Sequence, residues 1–237
     1  MSSPYPPGMF LNYYDHIFHV KLVIDYFKWD RVILLAHSMG AHVALSVASI
    51  YPEKVERIIS LDVIQQLPAP AEFLPTRLRS VLDDFQSILT KMNRPPVSIT
   101  YEKARQKYVE SYDGSITAAD ADILLIRGLS KKGPDEYYFT RDLRNIIRPY
   151  IFTDFTSEQI SSFSKNISCP LMIIKAKRKF SVKLVRKYED ELLNLYKKSS
   201  PDFRYIEVEG THHVHLGAAH VVAPFICDFL NPLKAKL

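Results

Sequence analysis

Two cysteines in 237 residues, Cys169 and Cys227, are too few for a disulfide framework. One precedes a strand-like run and the other sits in an apolar helix pattern, so both read as buried free thiols of a reducing compartment. No run approaches the ~18 apolar residues of a membrane-spanning helix, so no membrane span is expected. The opening Met1-Ser2-Ser3-Pro4 lacks the charged-then-apolar order of a secretion signal. There is no internal repeat and no low-complexity tract, which sets aside solenoids and fibrous proteins. The net charge of +5 forms no stripe, because basic and acidic residues alternate everywhere except around Lys175, Lys177, Arg178 and Lys179. Without a basic stripe interleaved with stacking aromatics, nucleic acid is excluded as a partner.

What remains is the composition of a globular protein, 47% hydrophobic and 24% charged, enough to bury a sizeable core. A single core stops growing beyond roughly 250 to 300 residues, so the length suits one large domain carrying an insertion. Tyr13, Ile17, Val20, Ile24 and Phe27 recur at the spacing of one helix face, with Asn12 and Asp15 placed as a capping pair. Residues 31–36 form a short continuous apolar run, which predicts a strand covered on both faces in a parallel sheet. Ala41, Ala44, Leu45 and Ala48 keep helical spacing until Pro52, and residues 55–61 read as a second buried strand.

Near Gln65 the character changes. Pro68, Pro70 and Pro75 interrupt the chain, and charged helical segments follow through 120–127, with a loop or hairpin over 131–141. This predicts a mainly helical inserted lobe over 65–165. Strand character returns at 170–174 and at 203–208, with a helix pattern between them. Ala218, Val221, Val222, Phe225, Ile226 and Phe229 then make a final amphipathic helix. The order is that of a parallel α/β sheet, with core segments 1–64 and 166–237 on either side of the insertion.

Leu34-Leu35-Ala36-His37-Ser38-Met39-Gly40-Ala41 runs from a strand through small-x-Ser-x-Gly into a helix. In that context the serine sits on a strained turn, its flanking small residues Ala36 and Gly40 avoid collision across it, and its oxygen projects beyond the end of the strand. The helix N-terminus then aims N–H groups and a positive dipole end at developing negative charge, the Met39 N–H among them. Serine needs a base, and the base needs an orienting acid. Glu209-Gly210-Thr211-His212-His213-Val214-His215-Leu216 lies between the last strand and the last helix. His212 is the first candidate for the base and His213 the second. The rival reading, zinc on His213 and His215, lacks a third ligand at useful spacing, so no metal and no cofactor is expected. His16, His19, His42 and His220 fall on predicted helices as packing or surface residues. The loop after 171–174 reads Lys175-Ala176-Lys177-Arg178-Lys179-Phe180-Ser181 and holds no carboxylate, which leaves Asp62, at the end of the second strand, as the candidate acid.

With these segments and the lead-in Lys28-Trp29-Asp30-Arg31, the chain resembles, over nearly its whole length, the serine hydrolase-like protein family, the kraken-like α/β-hydrolases. The resemblance implies an α/β-hydrolase fold with a helical cap that selects the substrate. Residues 123–128 through 140–142 are similar to that cap, and 171–176 to the strand before the acid loop. Ser38 falls on the family nucleophile and His212 on its histidine, while Ser181 falls where a carboxylate is usual. Members of the family begin with several strands and a His-Gly loop that donates a second oxyanion N–H. Against that pattern this chain is expected to lack the first strands of the sheet. The implied function is a serine hydrolase acting on carboxylic esters or similar small-molecule acyl substrates. The alternatives are a catalytically incompetent truncated isoform or incomplete gene model, and a cap-dominated binding module. Ala235-Lys236-Leu237, preceded by Lys234, is a conservative variant of the Ser-Lys-Leu signal. It predicts the peroxisomal import receptor as a partner and the peroxisome, with the cytoplasm as alternative, as the location.

Overall fold

The computed structural model describes residues 9, 12–66, 68, 71–92, 94–146, 155–177 and 183–231. Ser181, Arg178, Lys179, Pro70, the opening Met1-Ser2-Ser3-Pro4 and the terminal Lys234-Ala235-Lys236-Leu237 lie outside the described residues. In chain order the elements begin α1 (Tyr13–Tyr26), β1 (Val32–His37), α2 (Met39–Ile50), β2 (Val55–Leu61), α3 (Leu74–Met92), α4 (Tyr101–Ser111) and α5 (Ala118–Gly128). There follow β3 (Leu129–Gly133), β4 (Glu136–Phe139), α6 (Ser157–Lys165), β5 (Leu171–Ala176), α7 (Lys183–Ser199), β6 (Phe203–Val208), α8 (Val214–Gly217) and α9 (Ala219–Leu230). The chain divides into two compact units, Tyr13–Ala71 with Asp154–Leu237, and Met1–Asn12 with Glu72–Thr153.

The first unit is built on a parallel sheet of order β1-β2-β5-β6. Alternation along the strands sorts side chains to two faces. Leu34, Ala36, Ile58, Leu171 and Ile173 face one core with Tyr13, Ile17, Leu45, Ile160 and Leu192. Small residues line the buried side of α2, where Ala41, Ala44 and Ala48 let the helix lie close to the sheet, and the wholly buried Leu45 contributes roughly 2 kcal/mol. Along α7, Tyr188, Leu192 and Tyr196 are buried at four-residue spacing, and the Tyr196 hydroxyl donates to the Ile64 carbonyl at 3.1 Å. On the other face Ile59, Leu61, Met172, Ile174 and Val208 pack against Val214, Val222 and Phe229 of α8 and α9.

Four sequence expectations change here. β1 is not covered on both faces: Ile33 is 44% and Leu35 53% exposed, because β1 is an edge among the described strands and α8 and α9 pack on the columns of β2, β5 and β6. Phe27 does not complete the face of α1; it lies past the helix end and stacks on Trp29 at 4.7 Å between ring centroids. Cys227 is exposed on α9 while Cys169 is buried, and both are free thiols. Finally, α6 groups with the sheet rather than with the inserted lobe: Ile160 is buried in the first core, and the Asn166 amide donates to the Ser49 carbonyl of α2.

The second unit is helical with one hairpin. Val81, Phe85 and Ile88 repeat along α3 and pack with Leu143. Thr100 caps α4, and Thr117 and Asp120 form a reciprocal capping box on α5. Tyr101 and Arg105 of α4 both reach Asp122 of α5, at 2.9 and 3.4 Å. β3 and β4 pair antiparallel, and the Tyr108 ring stacks on Phe139. Among the described residues no helix is long and apolar enough to cross a membrane.

Candidate active site

Ser38, Met39, Asp62 and His212 all fall among the described residues, at the carboxyl ends of the strands of the sheet unit. β1 ends at His37 and α2 begins at Met39, so Ser38 alone reverses the chain, with φ 54° and ψ −124°. That left-handed backbone crowds a β-carbon and is a local strain of order 1–3 kcal/mol. The Ser38 N–H donates to the Leu61 carbonyl at 3.3 Å, and its own carbonyl accepts from Ala41 and His42 at 2.9 and 3.2 Å, which starts α2. A β-carbon added at Gly40 would touch the Ala36 β-carbon at 3.9 Å, so the two arms of the turn run close together. The Met39 N–H is the first N–H of α2, where helical amides have no partner within the helix.

One strand over, Asp62 follows β2, with φ 58°. Aspartate tolerates this region better than most residues, because its short polar side chain can bond locally. Its N–H donates to the Ile174 carbonyl at 2.7 Å, and the Ser60 hydroxyl closes the turn on the Val63 carbonyl at 2.5 Å. The carboxylate is buried, its side chain only 1% exposed. Oδ1 accepts from the Ala176 N–H at 2.9 Å and Oδ2 from His212 Nδ1 at 2.5 Å.

His212 comes from the loop between β6 and α8. Gly210 has φ 151°, and a β-carbon there would fall 2.6 Å from Cγ2 of Val214, so only glycine fits. Val214 is buried in the second core and anchors the far side of the loop. Between these points the imidazole spans Ser38 and Asp62: Nδ1–H donates to the carboxylate, which leaves the lone pair of Nε2 to accept from the Ser38 hydroxyl at 2.9 Å. His212, rather than His213, occupies this position.

A residue with no assigned role in the sequence, His37, joins the cluster. Its Nε2–H donates to the His212 carbonyl at 2.7 Å, and its ring lies 4.5 Å from that of His212, 4.9 Å from His213 and 4.1 Å from His215. Burial, reinforced by His215 and the other two imidazoles, pushes His37 down from its ordinary value to about 3. His42 on α2 is pushed down to about 4, first by burial and then by Lys175 and His212. His215 is lowered too, chiefly by burial. These rings are neutral at physiological pH. His213 and His215 stand 6.1 Å apart, and among the described residues no group of three or more His, Cys, Asp or Glu is placed to hold a metal ion.

A serine on a strained strand-to-helix turn, at the carboxyl end of a parallel sheet with a histidine and a buried carboxylate behind it, defines the hydrolase class of α/β protein. The chain belongs to the alpha/beta hydrolase fold family, whose model matches residues 11–216. It is similar to a probable serine hydrolase of Drosophila melanogaster, 29% identical over 97% of this chain and 69% of that one. It is equally similar, at 29%, to a serine hydrolase-like protein of Danio rerio, over 98% of this chain and 70% of the other. Among solved structures, a hypothetical protein from Pseudomonas aeruginosa PAO1 superposes with TM-score 0.73 at 26% identity, covering 95% of this chain and 76% of that one. The thioesterase domain of a curacin biosynthetic pathway shares the fold, with TM-score 0.68 at 19% identity over 92% and 73% of the two chains.

Proposed function

We propose that the chain is a serine hydrolase acting on carboxylic esters or similar acyl substrates, with Ser38 as nucleophile, His212 as base and Asp62 as orienting acid. The observation that carries this reading is the continuous hydrogen-bonded line from the Ser38 hydroxyl through both nitrogens of His212 to the buried Asp62. Ser38 Oγ attacks the substrate carbonyl carbon while its proton passes to His212 Nε2. Asp62 holds the imidazole in the tautomer that can accept this proton and steadies the imidazolium that forms. The oxyanion of the tetrahedral intermediate develops beside the Met39 N–H and the positive end of α2. Collapse breaks the bond to the alcohol, which leaves with the proton from His212. Water then attacks the acyl-serine with His212 again as base, releases the acid and restores Ser38.

The coarser part of this reading, hydrolase chemistry, has support from the names of the fly and zebrafish relatives. The terminal Ala235-Lys236-Leu237 supports recognition by the peroxisomal import receptor, tested by whether a reporter ending in these residues enters peroxisomes and one lacking them does not. For the chemistry, a fluorophosphonate probe should label the folded protein at Ser38 and release of acid from p-nitrophenyl esters should depend on the same residue. A folded sample that takes up no probe, or labelling that survives Ser38→Ala, rejects the assignment.

A further inference from the structure

We propose that His37 is a positioning residue that holds His212 in register between Ser38 and Asp62 through a hydrogen bond from its Nε2 to the His212 carbonyl. The inference rests on the preceding reading of Ser38, His212 and Asp62. His37 is the last residue of β1 and pairs with Leu61 of β2, so its backbone is fixed by the same two strands that lead into Ser38 and Asp62. Its side chain therefore carries the geometry of those strand ends, across 175 positions of sequence, to the backbone of the loop bearing the base. Around His212 the loop is also held by the Val214 N–H on the Thr211 carbonyl at 3.0 Å, by the His213 N–H on Thr211 Oγ1 at 3.3 Å and by the buried side chain of Val214, and the His37 bond adds a hold on residue 212 itself. Asp62 and Ser38 hold the His212 ring. His37 acts on its main chain. Its ring also fills the space between His212, His213 and His215, at centroid distances of 4.1 to 4.9 Å.

The chemical identity of the residue matters as well as its reach. When His212 takes the serine proton it becomes a cation, and a second cation 4.5 Å away would oppose that step. The burial that depresses His37 keeps it a neutral donor, so the bond is made without the opposing charge. A displacement of about 1 Å in a catalytic group costs on the order of 100-fold in rate, which sets the scale of the effect.

Three substitutions separate donor, shape and charge. His37→Phe keeps a ring without the donor, His37→Gln places an amide N–H near the position of Nε2, and His37→Lys supplies a donor with charge. With a p-nitrophenyl ester, the phenylalanine variant should lose about 10- to 100-fold in kcat with KM within about twofold, glutamine should recover most of that loss, and lysine should not. Unchanged kcat in the phenylalanine variant, a loss carried by KM, or a glutamine variant as poor as phenylalanine would overturn the inference. The low-field proton resonance of the His212–Asp62 bond supplies a readout independent of turnover. It should persist in wild type and His37→Gln and broaden in His37→Phe; a sharp, unshifted signal in His37→Phe refutes positioning. If wild type itself shows no Ser38-dependent labelling, the reading of the site fails, and the resonance still decides whether His37 holds His212.

Discussion

The ends of β1 and β2 use one backbone device for opposite purposes. Ser38 and Asp62 follow neighbouring strands paired in register at His37 and Leu61, and both take left-handed backbone, φ 54° and 58°. At β1 the device lifts a hydroxyl out, with His212 as its observed side-chain partner and the start of a helix behind it. At β2 it folds a carboxylate inward, where both oxygens are bonded and 1% of the side chain is exposed. A strained turn is thus neutral as to role. The surroundings decide whether the side chain it carries reacts or is immobilised.

The comparison breaks most sharply under Ser38→Ala, which keeps the turn and removes the hydroxyl. Ester turnover should fall on the order of 10⁴-fold or more, and probe labelling should disappear, while the melting temperature barely moves. Asp62→Asn comes next. Asparagine accepts the left-handed backbone and can still receive the Ala176 N–H, so the fold should survive while kcat drops about 10³- to 10⁴-fold through the wrong histidine tautomer. Retention of more than a tenth of the activity would remove Asp62 from its role.

A third test concerns pH, because the Ser38 side of the site is flanked by imidazoles that are depressed in the folded chain. His42, facing Lys175, His212 and Gln65, goes from an ordinary 6.5 to about 4, and His37, facing His212, His213 and His215, to about 3. The unfolded chain binds their protons first as pH falls, so stability is full above about 6.5 and declines toward 4. His42 alone accounts for at most about 3 kcal/mol of that decline. In urea titrations between pH 7 and 4.5, wild type should lose stability more steeply than His42→Gln as pH falls; parallel curves would contradict this. The smallest effect is the relief of strain itself. Ser38→Gly should stabilise the fold by about 1 kcal/mol net of the added chain freedom, whereas Asp62→Gly should destabilise it, since the buried Ala176 N–H loses its acceptor. Paired thermal melts check the opposite signs.

Ser38 was legible in the sequence because its signal is local: an apolar run, small residues two before and two after, and a helical period beyond. His212 was legible by position, between the last strand and the last helix. Asp62 was reached by the lack of a carboxylate in 175–181 together with its place at the end of the second strand, and its partner could not be read locally, since the sheet brings it to His212 across 150 positions. His37 stands inside the small-x-Ser-x-Gly motif, yet its bond to the His212 carbonyl leaves no spacing to read. The exposure of Ile33 and Leu35 among the described residues escaped for a related reason. A continuous apolar run states that a strand can be buried on both faces, and Ile33 and Leu35 obey that pattern whether or not anything lies over them. For α6, a charged and amphipathic sequence fits a lobe as well as a core, and its membership follows from Ile160 and Asn166.

Gly210 has a consequence for anyone who reads function from genetic tolerance. If the proposed ester chemistry holds, position 210 would sit beside Ser38 among the intolerant sites of a saturation library scored for survival on an ester, although it has no side chain. What such a screen would register there is the steric exclusion between a residue at 210 and Val214, passed along the loop to the register of His212. Trimming Val214 to alanine should not rescue Gly210→Ala, because the Val214 β-carbon itself lies 2.9 Å from the added β-carbon and the backbone at φ 151° is strained for any side chain.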